Sequence, residues 1–295
     1  MTEPIQHGGE WWTRAVDGSW LKWNAAEYTW DPQPGSPPFP VEPPPPAAPP
    51  GETVVAVEAP PATAPEADTI ERRLRDFDPV DGKARAAQVL VGMIAAASLV
   101  SGLMLFRTLA RDAVFEDNPV LAGISTFGLY GLLASGIAMI VWLKGAYDNA
   151  PALGASALRY TPGWAIGAWF IPVGNLFIPK QIADDVWRTS DPALPPHAGA
   201  QWMFKPVPAM MHVWWAAWLA QGVLGFAASA LNQTAIMQQD ISDYRMALGL
   251  EGANDFLIVL SGILLIKIIS EVTERQRERA QMLRAQSEEA APPPG

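Results

Sequence analysis

The sequence predicts a mainly α-helical, polytopic membrane bundle of four spans plus one interfacial or re-entrant segment, preceded by a small Trp-rich β module and a disordered Pro-rich linker. Three observations carry this expectation. The hydrophobic residues, 49% of the chain, fall in blocks instead of being spread evenly. One further apolar stretch is broken and bounded by prolines. The first eighty residues are polar, acidic, and rich in Trp and Pro.

In chain order, residues 1–31 are expected to form the β module. Trp11, Trp12, Trp20, Trp23, Tyr28 and Trp30 flank an Asp17-Gly18 pair placed where a tight hairpin turn falls. Two or three strands are expected, with the aromatic rings supplying the buried area that so small a sheet otherwise lacks. Residues 32–67 are dominated by Pro, Ala and Glu, including the run Pro43 to Pro46. Proline removes donors and fixes φ, so this stretch reads as an extended, solvated linker. It serves either as a spacer or as a ligand for an aromatic groove. Residues 68–85 form a charged juxtamembrane segment with Arg72, Arg73, Arg75, Lys83 and Arg85.

The membrane domain is expected over residues 86–270, with spans at about 86–106, 121–143, 209–231 and 253–270. The first three are long enough, at about 1.5 Å per residue, to cross a hydrocarbon core of about 30 Å, and the last is shorter. Lys267 lies one turn from the end of the last, where its ammonium reaches the headgroups. Residues 163–178 are apolar but short, interrupted by Pro172 and bounded by Pro162 and Pro179. Backbone groups freed by proline need partners in lipid, so this segment is placed at or partly in the membrane without crossing it. Residues 271–295 read as a charged helix and a disordered tail. With four spans, the basic pre-helix cluster, Lys144, Arg159, Lys180, Arg188, Lys205 and the C-terminal arginines share one side, leaving Arg107, Arg111 and Arg245 on the other. The positive-inside rule then makes both termini cytoplasmic.

Trp142, Asn149, Trp164, Trp169, Pro172, Asn175, Pro179 and Trp187 stand out as a candidate functional motif, with Trp169 to Pro179 its sharpest part. Their spacing, Trp, Asn, Trp, Pro-x-x-Asn-x-x-x-Pro and a closing Trp between Val141 and Pro192, resembles the bacterial membrane family known as domain of unknown function 4328. The first thirty residues more loosely resemble short Trp-rich, WW-like modules. The family resemblance implies a multi-pass protein of the bacterial cell (inner) membrane and no known activity.

Composition excludes several chemistries. The chain has no Cys, so disulfides, thiolate metal sites and cysteine nucleophiles are absent. A net charge of -10 argues against nucleic acid. The partners expected are the lipid bilayer and a protein bound through the N-terminal arm. No apolar stretch lies near Met1, so no cleavable signal is expected. Asn175 binds either a headgroup or solute, or the carbonyls freed around Pro172 and Pro179. Asp184 and Asp185 read as a helix-capping, solvated pair, since adjacent residues on a helix do not share a site. His212 lacks companions at ligand spacing and reads as a packing or hydrogen-bonding histidine. Met211, Trp214, Trp215 and Trp218 form a stripe at helical spacing, either packing or lining a lipid groove. Ser98 and Gly102, Gly131 and Ser135, and Gly225 and Ser229 suit close helix crossings. No catalytic residue, cofactor site or metal site is expected, and the spans lack the charged midplane residues of an ion-coupled pump. A non-enzymatic scaffold is the expectation, with a small-solute or lipid transporter or channel as the alternative.

Overall fold

The computed structural model describes residues 5–7, 10–14, 19–24, 29–33, 64–111 and 119–290. Its contacts divide the chain into two units, residues 1–57 and 58–295. The expected Asp17-Gly18 turn and most of the Pro-rich linker, 34–63, lie outside the described residues.

The first unit is an antiparallel meander of four strands in sequence order, not two or three: β1 (Ile5–His7), β2 (Glu10–Arg14), β3 (Trp20–Asn24) and β4 (Thr29–Gln33). Trp23 stands opposite Trp30, Thr13 opposite Leu21, and Trp12 opposite Lys22, whose ammonium lies 5.8 Å from the Trp12 ring centre. Cross-strand pairs of this kind are the unit of sheet stability. Strand β4 runs through Pro32, beyond the expected end at residue 31, because an edge strand tolerates a missing donor.

Among the described residues the regular elements of the second unit are helices. Helix α1 (Ala64–Leu74) begins inside the stretch expected to be linker. Pro65 is its second residue, in the first turn, where no intrahelical donor is needed. The long helices are α2 (Asp81–Ala110), α3 (Pro119–Ala152), α6 (Ala209–Gln238) and α7 (Ile241–Ala290), with two short ones, α4 (Trp164–Gly167) and α5 (Ile178–Thr189), between α3 and α6. Four helices are long and apolar enough to cross a membrane, as expected. In their most apolar stretches only 22% to 39% of the residues are buried within the protein, so most of that surface is left for lipid to cover.

Helix α7 differs most from its sequence expectation. Fourth span and charged tail form one helix of 50 residues, with Asp240 accepting the Ser242 amide at its start. No Pro breaks it, and the Glu, Arg, Gln and Ala of its second half are strong helix formers. At 1.5 Å per residue it extends about 75 Å, more than twice a hydrocarbon core.

The long helices pack in the order α3, α2, α7, α6, and Gly102, Gly131 and Gly225, among the small residues singled out above, sit where they meet. A Cβ on Gly131 of α3 would come within 2.3 Å of Ile94 Cδ1 on α2, so a larger residue there would have to turn the Ile94 side chain aside. Gly102 of α2 faces Asp255 and Gly252 of α7, and Gly225 of α6 faces Asn254, while Ser229 is exposed. The main core, including Trp142, Leu143, Ile182, Val186, Met211 and Ile268, lies towards one end of the bundle. There Ile70 and Leu74 of α1 pack with Leu153, Ala280 and Leu283. This end gathers the segment before α2, the end of α3, α5 and the projecting half of α7, as an even number of crossings requires.

Candidate functional site

The candidate motif divides between two places. Trp142, Asn149, Pro179 and Trp187 belong to the basic end. Asn149, 1% exposed, uses its whole carboxamide: Oδ1 accepts the Asp78 amide at 3.0 Å, and Nδ2 donates to Asp78 O at 2.8 Å and Gln276 Oε1 at 3.0 Å. Gln276 in turn donates to Ala146 O at 2.8 Å. Trp142 donates its indole N–H to Thr273 Oγ1, and the Arg275 guanidinium lies 4.3 Å from the Trp187 ring centre. Beside them, Arg279 is 1% exposed and donates to the carbonyls of Leu153, Asp191, Leu194 and Pro195. Arg73 donates to Pro196 O on the same turn. Gly154, at φ +91°, permits this close approach, since a Cβ there would sit 2.3 Å from Pro196 O.

Trp164, Trp169, Pro172 and Asn175 belong to the broken segment. It folds as α4 and two short turns, Ala168–Phe170 and Gly174–Leu176, and forms no helix long enough to cross a membrane. Phe170 is 76% exposed, with Val173, Phe177 and Trp164 also exposed, an apolar surface suited to the headgroup boundary. The segment is held to α6 by aromatics: Trp169 meets Trp215 and Trp218 edge-on at 6.3 and 5.8 Å, and those two stack at 4.6 Å. The Trp stripe on α6 is therefore a packing surface for this segment.

The bland reading of Asn175 is not what the structure holds. The carbonyls around Pro172 are met by other groups. Ile171 O accepts the Asn175 backbone amide, Val173 O and Gly174 O accept the amides of Leu176 and Phe177, and Leu176 O accepts the Trp215 indole. Helical turns closed locally, so the side chain was not needed. Asn175 Oδ1 and Trp169 Nε1 are both buried without a hydrogen-bond partner.

Asp184 and Asp185 also differ from expectation. They lie seven and eight residues into α5, away from its N-terminus, and Asp184 pairs with Lys180 at 2.5 Å. Asp185 faces inward with Ile182, Val186 and Thr189, fully buried, with neither oxygen hydrogen-bonded. Arg159 at 3.4 Å and Arg188 at 3.9 Å compensate it in part. Burial pushes the carboxyl from 3.8 up to about 6, against the pull of the two arginines. The folded chain thus holds this proton more tightly than the unfolded chain does. Its contribution to stability is fully present below 3.8, is lost as pH rises through about 6, and stays lost above. Asp185→Asn is expected to stabilise the protein at pH 7.5, on the order of 2 to 3 kcal/mol, and to flatten the melting temperature between pH 4 and 6. A lower melting temperature with an unchanged pH slope would show that the arginine pairs outweigh burial.

His212 is exposed on the first turn of α6, off the face that buries Met211, Trp214 and Trp215, so it does not pack as expected. Among the described residues no group of His, Cys, Asp or Glu is arranged to hold a metal. Asp255 lies against α2, with the Ser98 and Ser101 hydroxyls facing its carboxyl and Glu251 one turn away.

Between the outer helices α3 and α6, which barely touch, runs an open cleft with about 650 Å³ of free space. All four long helices line it, and Trp169 of the broken segment contributes as well. Its lining holds no charged residue; its polar groups include Ser135, Gln221 and Ser261, with the Ser261 hydroxyl donating to Gln221 Oε1 at 3.2 Å.

No curated protein and no solved structure matches the chain. One family model does, that of a domain of unknown function (DUF4328), over residues 107–274. That match covers more than half of the chain and includes α3, α6, the part of α7 up to residue 274, the broken segment and every residue of the candidate motif. The chain belongs to the DUF4328 family.

Proposed function

We propose that this DUF4328 protein is a non-enzymatic envelope or regulatory scaffold of a bacterial inner membrane, with its basic end and both termini in the cytoplasm. The observation that carries the reading is the platform at the basic end. Four separate segments are tied there by buried hydrogen bonds from Asn149, Gln276 and Arg279, on a helix that projects well beyond the bilayer. Such a shelf suits holding a partner in place. The N-terminal arm, with its small Trp-bearing sheet, supplies a second contact.

Single cysteines introduced at Gln238, Ala193 and Glu278 of this cysteine-free chain test orientation and partner together. In intact cells an impermeant thiol reagent should label Gln238 alone. A thiol-attached photocrosslinker at Glu278 should give one discrete protein adduct. Outside labelling of Glu278 would reverse the orientation, and no adduct from Glu278 or from Ser19 in the arm would remove the scaffold reading.

The second reading, a transporter or channel for a lipid or small solute, is favoured by the cleft and by Asp255 at the α2–α7 crossing. Faster lipid exchange or solute flux in vesicles containing the purified chain would select it.

A further inference from the structure

We propose that Asp185 and Arg159 form a proton-operated clasp: ionised Asp185 holds Arg159, and with it residues 157–159 between α3 and α4, against α5, and protonation lets that stretch go. The clasp stands apart from both functional readings and needs no particular depth in a bilayer.

The geometry around the acid sets which partner stays and which leaves. Asp185 is fully buried and neither oxygen is hydrogen-bonded, so its charge is met by ion pairs alone. Arg188, 3.9 Å away on the same helix, is pinned by the bond its Nε–H donates to Lys205 O at 2.9 Å. Arg159, at 3.4 Å, is 39% exposed and has no other ion-pair or hydrogen-bond partner among the described residues. The remaining ionisable groups facing Asp185 are committed elsewhere. Asp184 pairs with Lys180, and the Tyr147 hydroxyl of α3 donates to Tyr160 O and accepts the Tyr160 amide.

The stretch that Arg159 carries is lightly held. On one side the Ser156 amide donates to Gly199 O and its carbonyl accepts the Trp202 indole N–H, and on the other Tyr160 is tied to Tyr147. Between these anchors residues 157–159 make no backbone hydrogen bond among the described residues, and Leu158 alone packs inward. Ala157 has φ +53°, a left-handed conformation that a residue with a Cβ keeps only under constraint. Arg159 supplies part of that constraint while Asp185 is charged. Burial raises the Asp185 carboxyl to about 6 and Arg159 pulls it back, so the state in which Arg159 has left binds the proton more tightly. Falling pH therefore favours release, through the range near 6 where the held form titrates. Protonation thus removes a buried charge from the fold as a whole while loosening one short stretch of it.

A nitroxide on Ala157→Cys, in the otherwise cysteine-free full chain in mild detergent, reads that stretch directly. Its spectrum should be immobile at pH 7.5 and mobile at pH 5, with a midpoint at or a little above 6. In Asp185→Asn, which carries no charge, and in Arg159→Gln, which has none to pair, the label should be mobile at both. His197→Gln is the control, because Gly199 of its turn bridges to Ala155 and histidines also respond to mild acid. It should leave the transition in place. A wild-type spectrum unchanged between pH 7.5 and 5 would overturn the clasp, as would a transition that survives in Arg159→Gln or disappears in His197→Gln. An Asp185→Asn label as immobile at pH 7.5 as the wild type would do the same. Should Asp185→Asn fail to fold, the wild-type titration and Arg159→Gln still decide.

Discussion

Replacing Arg279 by Met is expected to detach the basic end from the membrane bundle and to lower the melting temperature by about 6 to 12 °C. The guanidinium makes four hydrogen bonds: Nε to Leu153 O at 2.8 Å, Nη1 to Leu194 O at 2.8 Å and Asp191 O at 3.2 Å, and Nη2 to Pro195 O at 2.9 Å. Methionine fills much of the volume but donates nothing. Each buried carbonyl left unmet costs about 1 to 3 kcal/mol, and even with water reaching two of them the loss is about 3 kcal/mol or more. At about 2 to 4 °C per kcal/mol for a domain of this size, that gives the stated shift. The damage should be local. Amide exchange should quicken in residues 271–290 and in the 191–196 turn, while residues 253–270 keep their protection. Arg279→Lys should recover only part of the loss, because one ammonium cannot reproduce a planar fork spread over four carbonyls. Unchanged exchange in 271–290 would mean the turn is held by Arg73 and packing alone.

The four long apolar helices were legible because each holds a block of apolar residues about as long as a bilayer core is thick, a signal that needs no tertiary information. Pro172 likewise announced that residues 163–178 form no single long helix. The length of α7 was obscured by a change of composition at residue 271, which resembles a boundary although the helix continues through it. A finer signal was present: Val272, Thr273, Gln276, Arg279, Ala280, Leu283 and Ser287 recur at helical spacing and are all buried. Reading polar residues into that stripe would have placed Gln276 and Arg279 against the bundle. Asp185 was missed for a related reason. Adjacent acids on a helix point to different surroundings, and the sequence does not say which one meets the core. The roles of Asn149 and Trp142 were not legible at all. Their partners Asp78, Gln276 and Thr273 lie 71, 127 and 131 residues away, and only the fold brings them together.

The candidate motif thus mixes two kinds of residue. Trp142 and Asn149 are buried with their polar groups hydrogen-bonded, and Trp187 is buried beneath the Arg275 guanidinium, as residues that hold a structure are. Trp169 and Asn175 carry buried polar atoms without hydrogen-bond partners. Spacing alone ran them together, because both kinds flank the same broken segment.

Asn149 offers the sharpest test of that division, through a substitution that changes almost no volume. Its carboxamide pairs with both the amide and the carbonyl of Asp78, and so ties the turn before α2 to α3. The bond to Gln276 extends the tie to α7. Asn149→Asp retains one acceptor for the Asp78 amide but sets a carboxylate oxygen against Asp78 O and Gln276 Oε1. Gln276 cannot turn its amide round without giving up Ala146 O. Two donors are lost and two acceptors are left facing a buried charge, at a cost of about 3 kcal/mol or more at neutral pH. Asn149→Ala removes all three bonds but adds no charge and leaves room for water, and should cost less, about 2 kcal/mol. The Asp variant should recover as pH falls, since protonation restores a donor and discharges the group. In a double-mutant cycle, Asn149→Ala and Gln276→Ala should couple by about 1 kcal/mol, because each loses the same partner. A ligand-binding Asn149 would behave otherwise: Asn149→Asp would melt with the wild type at every pH, the cycle would be additive, and the shelf at the basic end would have to be held by Arg279 and its carbonyls alone.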